Sequence, residues 1–332
     1  MEDFLSQPQA GALSALRRVS GDILVLGAGG KMGLHLCLML RKALDSLCRS
    51  DRVFAASRFS APGSRSLFES NSIPTFAGDF RDDAFVETLP DCPIVFYLVG
   101  VKFGTSDNLD LLSDINVKLA EKLALRFRRS LIVAFSTGCV YSYATPESGG
   151  STEDSETSPV GEYAISCLER EKRFEEISRA HGTAVALIRL NYSVEFRYGV
   201  LVDIAKKLLQ GDGIDLSVGQ VNVIWQNDAL NHIIQCLEIA DSPACPINIT
   251  GAAILNVRDI SIRLGELLGC EPRFSGKPNP TAWLSNAGKS HQRFGFPSVS
   301  EELMMEWIAT WLVQGGHTLE KPTGFERRDG RF

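Results

Sequence analysis

Residues Gly21–Gly33 read Gly-Asp-Ile-Leu-Val-Leu-Gly-Ala-Gly-Gly-Lys-Met-Gly and run straight into the apolar stretch Leu34–Leu40. The pattern predicts a short aliphatic strand over Ile23–Leu26, a turn over Gly27–Gly30 that no side chain crowds, and a helix over Lys31–Leu44 whose N-terminus faces that turn. Such a strand–turn–helix leaves backbone N–H groups and the positive end of a helix dipole around empty space, which suits a pyrophosphate. Gly27, Gly30 and Gly33 are spaced G-x-x-G-x-x-G, with Gly29, Lys31 and Met32 among them. Any tight strand–helix connection favours glycine. Lying between a buried-strand pattern and a helix, however, this one has the setting of a dinucleotide fingerprint.

Downstream, Arg52–Ser57 reads as a second strand, and Ser57-Arg58 stands where such folds read the adenosine ribose. An acid there accepts from a ribose 2′-hydroxyl, whereas a small hydroxyl residue followed by Arg favours a 2′-phosphate and hence NADP over NAD. The other reading of Arg58 is a solvated arginine at a strand end. Ile73–Ala77 is a third strand, followed by Gly78-Asp79-Phe80. Asp79 suits the adenine amino group or the cap of a helix over Asp82–Leu89, and both readings stand. Pro93–Val99 is wholly apolar and ends at Gly100, as expected for the centre of a parallel sheet. The loop Gly100–Ser106 holds Lys102 beside the expected cofactor cleft. Leu109–Arg129 reads as one long amphipathic helix carrying Asn116, and Leu131–Phe135 as the next strand, with its exit at Ser136–Tyr141.

Strands alternating with helices over residues 21–190 predict an α/β, doubly wound parallel sheet with ligands at the carboxyl ends of the strands. The expected organisation is a dinucleotide-binding domain over 1–190, to which 223–250 returns, and a smaller substrate lobe with the tail over 191–332. Residues 1–20 read as a frayed arm or a short helix over Ala10–Arg18. Pro146–Pro159 reads as a mobile acidic loop able to close over a substrate. Pro246–Thr250 is a last strand, Val257–Leu268 and Ser300–Val313 are amphipathic helices, and Gly315–Phe332 is a polar tail draped over the surface.

Lys+Arg 34 against Asp+Glu 40 gives a net charge of −6, which offers nothing to nucleic acid or an anionic membrane. The eight cysteines are scattered, with no C-x-x-C pair, and read as reduced thiols in a cytoplasmic protein without a metal centre. Neither a secretory h-region nor an uninterrupted apolar span is present.

At Ser136-Thr137-Gly138-Cys139-Val140-Tyr141 and at Tyr163-Ala164-Ile165-Ser166-Cys167 the chain resembles the extended short-chain dehydrogenase/reductase family, the NAD(P)-dependent epimerases and dehydratases of sugars. The likeness extends over nearly the whole chain, through the glycine turn, Gly78-Asp79-Phe80, the Gly100–Gly104 loop with Lys102, Asn116-Val117, Asn191 after Leu187–Leu190, the Asn227-Asp228 helix start, and Lys289–Pro297. It implies a Rossmann-type fold. It also implies cofactor contacts from Gly27, Gly29, Gly30, Lys31, Met32, Gly33, Ser57, Arg58, Asp79, Phe80, Val99, Gly100, Lys102, Asn116, Tyr163 and Asn191. By the same likeness Thr137 orients the reacting oxygen and Tyr163 exchanges its proton, while a hydride moves at the attached carbon. Tyr163 is alternatively a core or interface tyrosine. The helices matching Leu109–Arg129 and Gly161–Arg179 imply a homodimer.

Two departures stand out. Cys167 occupies the place of the family lysine, one helical turn after Tyr163, and so removes the charge that lowers the tyrosine pKa and the donor to the nicotinamide ribose. Val221 falls where nucleotide-sugar enzymes carry an Arg for the substrate diphosphate. The expected substrate is therefore a free sugar, glycoside or sugar acid, walled by Thr137, Gly138, Cys139, Asn191, Tyr192, Arg197, Asn222 and Trp225. Trp225 suits a pyranose face as well as a buried core. The alternatives are a nucleotide-sugar epimerase or dehydratase, and a dinucleotide-binding sensor or scaffold that lost catalysis at Cys167.

Overall fold

A computed structural model describes residues 1–102 and 108–330. The part of the expected Gly100–Ser106 loop beyond Lys102, Gly104 included, and the last two residues of the tail lie outside them. The chain divides into two units. One comprises Met1–Ser136, Ser166–Arg189 and Leu230–Ile247; the other comprises Thr137–Ile165, Leu190–Ala229 and Asn248–Phe332.

The main sheet has seven strands: β1 (Ile23–Leu26), β2 (Val53–Ser57), β3 (Thr75–Ala77), β4 (Ile94–Tyr97), β5 (Leu131–Thr137), β6 (Val185–Leu190) and β7 (Cys245–Ile249). Their order across the sheet is β7-β6-β5-β4-β1-β2-β3. β1 runs parallel to both β2 and β4, β3 parallel to β2, and β5 parallel to β4. This is the doubly wound Rossmann-type α/β fold, whose chain reverses direction across the sheet beside β1, and ligands bind outside the carboxyl ends of the strands there. Residues on both faces of β1 and β4 are buried, which is why those strands read as unbroken apolar runs. One core cluster of the first unit gathers Leu24, Phe54, Phe96's neighbours Val95 and Tyr97, Leu123 and Phe174.

Two expectations for this unit are corrected, and one left open is decided. Of a frayed arm and a short helix over Ala10–Arg18, the N-terminal segment takes the helix: Glu2–Leu5 and Ala10–Arg17 bury Leu5, Ala12, Ala15 and Leu16, and the Gln9 amide donates to Asn231 Oδ1 at 2.6 Å. The segment expected as one helix from Leu109 is interrupted, with α-helix over Leu109–Ser113 and Leu119–Arg126 and a π-helical turn over Asp114–Lys118 between them. The helix after the glycine turn begins at Gly33, not Lys31, and runs to Ser46.

In the second unit the acidic loop is pinned, not mobile. The Ser151 amide donates to the Leu284 carbonyl at 2.8 Å, Glu153 accepts from the Asn248 amide at 2.7 Å, and Thr157 bridges to Tyr141. Helix Val257–Leu268 is capped by Asn256, which accepts from the Arg258 amide at 2.9 Å, and helix Glu301–Val313 by Ser300. The tail is anchored too: Phe325 is buried, and Asp203 accepts from the amide and hydroxyl of Thr323 at 2.7 and 2.6 Å. Burial pushes the Asp203 carboxyl above its ordinary range, against these two bonds. Thr323→Val removes one of them, worth about 1 kcal/mol, and is expected to speed tryptic cleavage after Arg327 or Arg328 several-fold in timed digestion. Among the described residues no helix is long and apolar enough to cross a membrane, and no cluster of His, Cys, Asp and Glu could hold a metal ion.

Candidate functional site

The glycine turn is shaped by what would happen to added side chains. Gly27 has φ +80°, and a Cβ there would lie 2.8 Å from the carbonyl carbon of Leu98 and the nitrogen of Val99. A Cβ on Gly33 would lie 2.1 Å from the Ala28 carbonyl oxygen, so the helix can start against the turn only without one. A Cβ on Gly29 would approach Ser57 Oγ to 2.7 Å, whereas one on Gly30 meets only the Gly27 carbonyl at 3.3 Å. Gly29 and Gly30 are exposed, and among the described residues no side chain caps the helix Gly33–Ser46. A bare helix N-terminus beside an open glycine corner fits a dinucleotide pyrophosphate. Gly33→Ala is expected to cost about 1–3 kcal/mol in urea unfolding, as overpacking does, and to weaken dinucleotide binding in calorimetry.

On the β2 side, Ser57 stands at the end of the strand beside Gly29, and Arg58 is exposed next to it. Asp79 is held by Arg81, whose Nε and Nη2 donate to it at 3.1 and 2.6 Å, and Arg81 with a smaller contribution from Arg58 depresses its carboxyl to about 2. The cap of the following helix is Asp82, which accepts from the Ala84 amide at 3.0 Å, so Asp79 is not the cap. Phe80 is buried against Phe85, ring centroids 5.7 Å apart.

On the β4 side, Asn116 lies in the π-turn and is fully buried. Its Oδ1 accepts from the Val101 amide at 2.9 Å, and its Nδ2 donates to the Val101 carbonyl at 3.0 Å and to Ser166 Oγ at 2.9 Å. This clamps the segment carrying Val99 and Gly100; Lys102, half-buried, follows it. Cys167, with no exposure, and Arg170 lie one turn apart on the helix Glu162–His181. Arg170 is itself buried, and its Nη1 donates to the Val99 carbonyl at 3.3 Å while its Nη2 reaches Cys167 Sγ at 3.4 Å. Sequence reading passed over Arg170, although its position seven residues after Tyr163 puts it on the same helix face. Where β5 ends, the Ser136 hydroxyl bonds Glu171, and Arg189 donates to both oxygens of Glu171, the nearest contact being 2.8 Å.

The second unit brings together most of the expected substrate residues. Thr137 is buried and its Oγ1 accepts from the Cys139 amide at 3.2 Å, leaving the hydroxyl hydrogen to be given elsewhere. A Cβ on Gly138 would lie 2.8 Å from Ser285 Oγ and 3.2 Å from Asn191 Cβ. Asn191 is buried and its Nδ2 has no hydrogen-bond partner in the described residues. Tyr192, at φ +40°, has a left-handed backbone that a bulky residue adopts only under constraint. Burial, with Cys139 and Tyr143 adding to it, raises its phenol well above the ordinary value. Cys139 packs on Trp283, and Tyr163 is half-buried.

Three expected wall residues have other work. Trp225 is 1% exposed, edge-on to Phe196 at 5.0 Å and Trp307 at 5.2 Å, so its ring belongs to an aromatic core and no sugar can stack on it. Arg197 donates from Nε to the fully buried Glu195 at 3.1 Å. Asn222 donates to the Ala253 carbonyl at 3.0 Å and accepts from the Ser285 amide at 2.9 Å, so it shapes the Gly138 neighbourhood from behind. Val221 is buried and pairs with Leu255, and its side chain offers no charge to a diphosphate.

The model of the NAD dependent epimerase/dehydratase family matches residues 23–217. No curated protein matches the chain. Among solved structures, MoeE5 in complex with UDP-glucose and NAD is 18% identical with a TM-score of 0.72, over 89% of this chain and 99% of that one. UDP-glucuronic acid 4-epimerase from Bacillus cereus in complex with NAD is 18% identical with a TM-score of 0.73, over 88% and 96%. A UDP-galactose 4-epimerase is 18% identical with a TM-score of 0.68, over 89% and 99%. At such identities the likeness is one of fold, and the family match spans more than half of the sequence. A Rossmann sheet, a glycine turn open to a pyrophosphate and the matched family model agree, and the chain belongs to the NAD dependent epimerase/dehydratase family.

Proposed function

We infer that the protein is an NAD(P)-dependent enzyme that oxidises a hydroxyl-bearing carbon of a nucleotide sugar and returns the sugar epimerised or dehydrated. The observation that carries this reading is the fold shared with proteins solved with UDP-glucose or UDP-glucuronic acid together with NAD. It favours the nucleotide sugar over the free sugar, glycoside or sugar acid expected from Val221, and it leaves the diphosphate to residues other than 221. Bound NAD(P) supplies a hydride acceptor at C4 of its nicotinamide. Thr137, its oxygen already engaged by the Cys139 amide, donates a hydrogen bond to the reacting sugar oxygen and keeps its proton. Tyr163 exchanges the proton there, and the buried Asn191 Nδ2 donates to a neighbouring hydroxyl. Ser57 and Arg58 favour the 2′-phosphate of NADP, whereas the neighbours hold NAD. Exposed Leu109 and Leu125 on the segment Leu109–Arg129 and exposed Ile165 on Gly161–Arg179 support pairing of two copies through those helices, and eight cysteines outside any disulfide support a cytoplasmic location.

Calorimetry with NAD and NADP tests the first step and sets the preference. Incubation with UDP-glucose, UDP-galactose and UDP-glucuronic acid, with glucose, methyl glucoside and gluconate alongside, is followed at 340 nm and by NMR of the products. Conversion of a UDP-sugar is the expected result. Conversion of the unactivated compounds alone overturns the nucleotide-sugar reading, and binding without any conversion selects the sensor that Cys167 suggests.

A further inference from the structure

We propose that Arg170 sets the redox poise of the bound dinucleotide, favouring its reduced over its oxidised form. The inference rests on the dinucleotide reading above. A Cβ on Gly27 would touch Leu98 and Val99, so the exit of β4 abuts the pyrophosphate turn. β2 and β4 flank β1 on opposite sides, and the β2 end is the one that reads the adenosine ribose. The β4 exit therefore belongs to the nicotinamide half.

At that exit lies the Arg170 guanidinium, held on the Val99 carbonyl and the Cys167 sulfur. It is packed so closely on Gly100 that a Cβ there would come within 2.8 Å of Nη1. Side chains of a helix lean toward its N-terminus, and this one reaches back one turn to position 167. An arginine keeps its charge when buried. Its field is felt nearby: burial drives the Tyr97 phenol upward, and the Arg170 charge is what opposes the rise. The oxidised nicotinamide ring is a cation and the reduced ring is neutral. A fixed positive charge in a poorly solvated site therefore disfavours the first without touching the second. The lysine absent at Cys167 is replaced in sign by a guanidinium anchored one turn further along.

The test is the ratio of dissociation constants for NAD+ and NADH, measured by calorimetry and NADH fluorescence on the full chain, with NADP+ and NADPH in parallel. The wild type is expected to bind the reduced form about tenfold or more tightly than the oxidised one, the size of a unit charge acting across several ångströms of protein. Arg170→Met should bring the ratio to within about threefold of unity, and Arg170→Lys should retain it. If Arg170→Met does not fold, Arg170→Gln reads the same ratio. An unchanged ratio in the neutral variants, or equal weakening of both forms, overturns the inference and leaves the dinucleotide reading intact. Failure of the wild type to bind either form overturns both.

Discussion

Tyr163→Phe is expected to lower turnover of a nucleotide sugar about a thousandfold, within the range that a positioned acid or base contributes, while dinucleotide affinity stays within a factor of a few. A phenyl ring keeps the half-buried packing of Tyr163 and removes only the hydroxyl. Loss of turnover with intact binding thus isolates proton exchange from cofactor recognition. Initial rates by NMR of the sugar anomeric signal, with calorimetry on the same preparations, provide the comparison. Retained turnover removes Tyr163 from the chemistry and returns it to a packing role.

The largest expected effect on stability lies beneath the strand that carries Ser136. Arg189 and Glu171 have side chains 8% and 5% exposed, and Glu171 also bonds the Ser136 hydroxyl. Arg189→Met leaves the Glu171 charge buried without its partner and is expected to cost about 3–5 kcal/mol. Replacing the pair together, as Arg189→Met with Glu171→Leu, should recover most of that, because two apolar side chains leave no ion to desolvate. Urea midpoints at constant slope decide it. A single variant as stable as the wild type shows that water reaches Glu171.

The Rossmann fold was legible because its signals are local. Ile23–Leu26 is bounded in the structure where the aliphatic run begins and ends, and Gly27 and Gly33 sit where a side chain would strike backbone. Less local features escaped. Nothing in the spacing of Leu109–Arg129 reveals the π-turn around Asn116. The mobility expected of the acidic loop came from its polar composition. Its ordering comes from a distant partner, Asn248, which composition does not register. Trp225 illustrates the same limit: an aromatic near polar residues reads as a ligand platform until Phe196 and Trp307 are seen to wall it in. The pairing of Cys167 with Arg170 follows from helical spacing, since a side chain three places along a helix stands over the preceding turn.

The π-helical turn at Asp114–Lys118 changes how this chain should be laid beside its relatives. Such a turn holds one residue more than the α-helical turn it replaces, so side chains before it are rotated by about 100° from where an unbroken helix would aim them. Against a relative whose helix is regular, a gap of one residue belongs between 114 and 118. Without it, every position from Leu109 to Ser113 is compared with a neighbour displaced by more than a quarter turn, and substitution patterns drawn from that stretch mix buried with exposed positions.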